Sequence, residues 1–198
     1  MQTCVKTKGI SIATALIILL VAATAPFDHA PKAQETKTHE APQLIHQTDQ
    51  IPENTRTMQE NLLRAATSGD LEELRHIFEE NELAPVIADD HVSDPIAHWQ
   101  QTSIDGTARD TMALIAEVFS LPGIKTKEGD FVWPYLARMP LDKLTPAQQI
   151  DLFRLAGPKQ ASEMLKTNLY NYYEAKIGKD GTWHSLKRIR TDQAKSKP

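Results

Sequence analysis

Apolar residues recur with a helical period through most of the central part of this 198-residue chain. Met58, Leu62, Ala65 and Ala66 fall three or four positions apart, the spacing that lines one face of a helix. Ser68-Gly69-Asp70 ends that helix and caps a second one, in which Leu71, Leu74, Ile77 and Phe78 form a stripe while Glu72, Glu73, Glu79 and Glu80 face water. The two predict a helical hairpin. A third helix is expected over 107–120, with Ala108, Met112, Ile115, Ala116 and Phe119 on one face and Leu121-Pro122-Gly123 as its end. In TPAQQIDLFRLAG, Thr145 caps, Pro146 suits the first turn and Gln148 completes a capping box; Ile150 and Phe153 face inward, and Gly157 closes the helix. PKQASEMLKTN adds a short fifth helix.

The period changes to two only near the C-terminus, where Tyr173, Ala175 and Ile177 alternate and Asp180-Gly181 marks a tight turn into Thr182-Trp183. A loop of Lys179, Asp180 and Gly181 sets Ile177 opposite Trp183. DFVWPY supplies one more short extended segment, because Pro134 biases Trp133 away from helix. The predicted class is α+β, mostly α: about five helices beginning with a helical hairpin, plus a small C-terminal antiparallel β-hairpin.

Outside this region the pattern is different. MQTCVKTKG carries two lysines and no acid, and ISIATALIILLVAATA follows without a charge, which is the n-region and h-region of a secretory signal. Cleavage after Ala23 is expected, since a cut after Ala25 would place Pro26 first. An uncleaved leader would instead serve as a membrane anchor with its lysines inside. Residues 24–55 are rich in Pro, Thr, Gln and His without apolar periodicity and read as a disordered tether, residues 56–190 as one folded domain, and 191–198 as a disordered tail.

Composition narrows the chemistry. A hydrophobic share of 40% and a charged share of 24% suit a folded domain. Setting aside Lys6 and Lys8 in the leader leaves 20 basic residues against 26 acidic ones, so the remainder is mildly acidic and offers no general attraction for nucleic acid. The one cysteine, Cys4, precedes the h-region, so disulfides and cysteine nucleophiles are excluded for an exported product. There is no G-x-S-x-G, no P-loop and no dinucleotide fingerprint, and no cofactor is expected. His184 and Ser185 are strand neighbours that point to opposite faces, which argues against a serine triad.

Two resemblances bear on this picture. LLRAATSGDLEELRHIFEEN is similar to one ankyrin unit, but it does not recur, and a solenoid needs about three stacked repeats. DPIAHWQ with DGTARD, FVWPYLA and IGKDGTWH, in this order, resemble a family of small exported alphaproteobacterial proteins over roughly residues 60 to 186. That resemblance implies export and a single domain, and it carries over no catalytic residue.

The candidate sites are few. DDHVSDPIAHWQQ gathers Asp89, Asp90, His91, Asp94 and His98, of which Asp90, His91 and His98 are candidate metal ligands. Asp94-Pro95 is also what a helix start requires, an acceptor for backbone N–H groups followed by proline at the first helical position. The spacing matches neither H-E-x-x-H nor the calcium loop, so the capped-loop reading is preferred. Trp133 and Tyr135 are the candidate ligand-binding aromatics, although core packing is the preferred reading, since a small helical domain needs the apolar area they bury. These features favour a non-catalytic exported, periplasmic cell-envelope protein that binds a protein or cell-wall partner. The alternatives are a metal-assisted hydrolase using Asp90, His91 and His98, and a small-ligand-binding periplasmic domain.

Overall fold

The structure, a computed structural model, describes residues 51–189 together with the backbone of Leu44 and Ile45. The leader, positions 24–43 and 46–50 of the expected tether, and positions 190–198 lie outside the described residues. The first helix, α1 (Glu53–Ser68), begins within the segment expected to be tether. Its opening residues are polar, so no apolar stripe announces them; Thr55 is nonetheless fully buried, and its Oγ1 donates to the Gly178 carbonyl at 2.7 Å. Gly69 ends α1 in the left-handed region (φ 77°), and the Asp70 carboxylate accepts the Glu72 N–H to start α2 (Leu71–Glu80). An Arg64–Glu73 ion pair at 2.6 Å spans the resulting hairpin.

Helix α3 (Pro95–Thr102) buries Ile96 and Trp99, and α4 (Arg109–Ser120) buries Met112, Ile115, Val118 and Phe119. The turn before α4 is tied by Asp105, whose carboxylate accepts the Thr107 N–H at 2.9 Å. Two 3-10 turns, Tyr135–Arg138 and Leu141–Lys143, lead to α5 (Pro146–Thr167). Thr145 and Gln148 form the expected capping box there, and Gly157 breaks α5 into two helical pieces with φ 73° and ψ 164°, a conformation essentially confined to glycine.

The strands form one sheet rather than a lone hairpin. β1 (Leu44–Ile45), β2 (Gly123–Lys125), β3 (Phe131–Trp133), β4 (Tyr173–Ile177) and β5 (Trp183–Arg188) lie side by side in chain order, each antiparallel to the next. The β4–β5 hairpin is the predicted one, with Ile177 opposite Trp183. His184 is the extra residue of a bulge there, since Lys176 pairs with Ser185. Beyond β5, Val86 adds a single parallel bridge, donating to the His184 carbonyl and accepting from the Leu186 N–H. Asn81 extends this edge with its side chain, accepting the Trp183 N–H and donating to the Trp183 carbonyl, both at 2.8 Å.

Register places Phe131, Trp133, Ala175, Ile177 and Leu186 on one face of the sheet, and all are buried. Phe78, Trp99 and Trp183 form an aromatic cluster with centroids 4.9 to 6.4 Å apart, which fastens α2 and α3 to β5. Two expected core residues lie outside it. Ile150 is 60% exposed and Phe153 38%, while Leu152 and Leu155 occupy the inner face of α5. The segment 150–155 offers two apolar stripes; the buried one, Leu152 with Leu155, flanks Asp151, whose Oδ2 accepts the Tyr135 hydroxyl at 2.9 Å.

Candidate functional site

Trp133 and Tyr135, the aromatic ligand candidates, are core residues. They are 1% and 2% exposed, and neither borders the clefts described below. Trp133 packs on Phe119 at 5.6 Å and lies so close to Gly123 that a Cβ there would sit 2.6 Å from the indole. The Tyr135 hydroxyl is pushed well above its ordinary pKa, chiefly by burial and further by the Asp151 carboxylate.

The loop candidates separate from one another. Asp94 caps α3, its Oδ1 accepting the Ala97 N–H at 3.0 Å. Asp90 and His91 are exposed on the preceding loop, whereas His98 lines a cleft one turn into α3. Among the described residues no three His, Cys, Asp or Glu side chains converge as metal ligands do, so the geometry does not assemble Asp90, His91 and His98 into one site.

That cleft, about 370 Å³, is a candidate site. Three structural ties create it. The Val86 bridge holds Ile87, Ala88 and Asp89 along β5; the Asp94 cap fixes where α3 begins and so aims His98, Trp99 and Thr102; α4 supplies Asp110, Thr111 and Leu114 from its first two turns. The sheet closes the remaining side with Tyr173, Leu186, Lys187 and Arg188. Ile87, Trp99 and Leu186 are nearly buried and form an apolar floor with the half-buried Leu114. The rim is polar. Asp110 Oδ1 accepts the Thr111 N–H at 2.9 Å, and Thr102 Oγ1 donates to the His98 carbonyl at 2.8 Å. The Arg188 guanidinium lies 6.0 Å from the Tyr172 ring centroid and donates to the Asn171 carbonyl at 3.4 Å.

Two other polar places stand apart. A shallower groove of about 300 Å³, bordered by Asn54, Asn61, Glu80, Glu82 and Asp180, has no basic side chain in its lining. On the opposite side of the sheet Glu174 is buried, with one oxygen taking an Arg138 hydrogen bond at 2.9 Å and Oε2 without a protein partner. Burial pushes its carboxyl above the ordinary value, against the pull of Arg138, Lys187 and Lys176.

Asp110, Thr111, Tyr173 and Arg188 were not legible as site residues in the sequence. Each sits in an ordinary amphipathic or alternating context, and the chain brings them together from positions up to 78 residues apart. Comparison of the chain with protein-family models, curated proteins and solved structures found no match.

Proposed function

We propose that this chain is a non-catalytic, exported cell-envelope protein that recognises a protein or cell-wall partner through the cleft between α3, α4 and β5. The observation that carries the reading is the cleft itself: its volume of about 370 Å³ is in the range of ligand sites, and its polar rim stands over Ile87, Trp99, Leu114 and Leu186. The lysine-bearing, then uncharged, N-terminal pattern supports export. The sequence supports binding over catalysis, because it has none of the nucleophile, phosphate-loop or dinucleotide motifs that would name a reaction. Trp133 and Tyr135 border neither cleft, so the ligand-binding role considered for them passes to the residues that line the cleft between α3, α4 and β5.

Photo-crosslinking in intact cells tests this reading. A photoreactive residue at Thr111, on the cleft rim, should yield a discrete adduct, while the same residue at Ile104, which is 96% exposed and outside the cleft, should not. Equal labelling from both positions, or none from Thr111, would refute it.

A further inference from the structure

Two charged side chains that line the cleft on different elements, Asp110 and Arg188, form no ion pair among the described residues. Arg56, Arg64, Arg75, Arg138 and Arg154 each meet a carboxylate. Arg188 meets none among the described residues; its hydrogen bond goes to a carbonyl at 3.4 Å. Asp110, across the cleft on α4, likewise forms no ion pair among the described residues, and its bond to the Thr111 N–H occupies only Oδ1. Both side chains line one cavity, yet they do not approach each other within the 4.0 Å of an ion pair. Asp89, also on the rim, has an interaction of its own.

From this juxtaposition, and resting on the reading of the cleft as the recognition site, we infer that its ligand is a small zwitterion: a free amino acid or short peptide carrying both an ammonium and a carboxylate. The ammonium is a compact triple donor suited to Asp110, and the carboxylate matches the planar fork of the Arg188 guanidinium. A ligand with charge of one sign would leave the other rim group without a partner. The apolar floor of Ile87, Trp99, Leu114 and Leu186 suits the aliphatic part between the two charged ends. A cleft of about 370 Å³ has room for a ligand of dipeptide size, free or at the end of a larger partner.

The test uses the full-length protein labelled with nitrogen-15 and three probes: alanylalanine, its N-acetyl derivative and its C-terminal amide. Alanylalanine should shift the amide signals of residues 110–114 and 186–188 saturably, and each capped probe should bind at least about tenfold more weakly, as expected for loss of one charge-assisted contact. Asp110→Asn should erase the preference over the acetylated probe and leave that over the amide; Arg188→Gln should do the reverse. Both replacements are at exposed positions, so the two variants also control for folding. The inference is overturned if the capped probes bind as well as the free dipeptide, or if alanylalanine leaves the cleft signals unmoved up to its solubility limit. In that event a persistent Thr111 adduct in cells means that only the ligand class is wrong, and its absence means that the cleft reading falls as well.

Discussion

An aspartate placed before a proline at a helix start spends its carboxylate on the backbone, and that use of Asp94 decides the character of the whole loop around it. With Oδ1 accepting the Ala97 N–H, Asp94→Ala should lower unfolding stability by about 0.5 to 2 kcal/mol, measured by urea denaturation with and without a chelator. Dependence of that loss on the chelator would point to a metal site instead. The cap was legible because Asp-Pro is a local signal. The burial of Trp133 and Tyr135 agrees with the core role expected for large aromatics in a small domain, but their neighbours Phe119, Gly123 and Asp151 are far away or on other elements and were not legible. Glu174 contributes a pH dependence of its own. Its carboxyl is raised above the ordinary 4.5 by burial, so over the interval between the two values the folded chain holds a proton that the unfolded chain has released. Stability from this group is therefore full below the ordinary value, falls as pH rises through the raised one, and stays lower above it. Glu174→Gln should remove that fall, read as a smaller change in urea midpoint from about pH 4 to about pH 8 than the wild type shows. An unchanged slope would place the titration elsewhere.

Helices were read well where one stripe dominated and poorly where two competed. In α1, α2 and α4 the apolar positions leave a single choice of buried face, and the expected residues pack inward. In α5, Ile150 and Phe153 compete with Leu152 and Leu155, and the choice depends on the surface of the other elements that the helix packs against, which the local pattern does not show. The consequence is measurable. Leu152→Ala should cost about 2 to 5 kcal/mol, as for a fully buried leucine, while Ile150→Ser should stay within about 1 kcal/mol of wild type and Phe153→Ser should cost less than Leu152→Ala. Comparable losses at all three positions would contradict the assigned face. At the break in the same helix, Gly157→Ala forces a side chain into a conformation reserved for glycine and should cost about 1 to 3 kcal/mol in thermal or urea unfolding. A neutral substitution would mean that the two halves of α5 join without that kink.

At the scale of the molecule, the part of the fold that could be read was the local part. The β4–β5 hairpin followed from a turn and an alternation within fifteen residues, including the pairing of Ile177 with Trp183. Pro134 marked the β3 segment as extended, but β1, β2 and the order of the sheet were not legible, because β2 has three residues and β1 two, too few to show a period, and the order is set by pairings between distant segments. The same holds for the start of α1, where the polar Thr55 is buried against Gly178, 123 residues away. The cleft is the strongest case. Its floor and rim come from the Val86 bridge, α3, α4 and the ends of β4 and β5, so it exists only once these elements are in place. Sequence could point to His98, which belongs to it, but paired it with Asp90 and His91, which do not line it.

Hydrogen–deuterium exchange of the purified protein, alone and after incubation with a solubilised envelope fraction, tests most directly whether the cleft is where recognition occurs. The cleft-binding account predicts slower exchange in 87–89, 109–114 and 186–188, the segments that meet there, with the exposed side of α5 around Ile150 and Phe153 unchanged. Protection confined to α5, or exchange identical in the two samples, would contradict it.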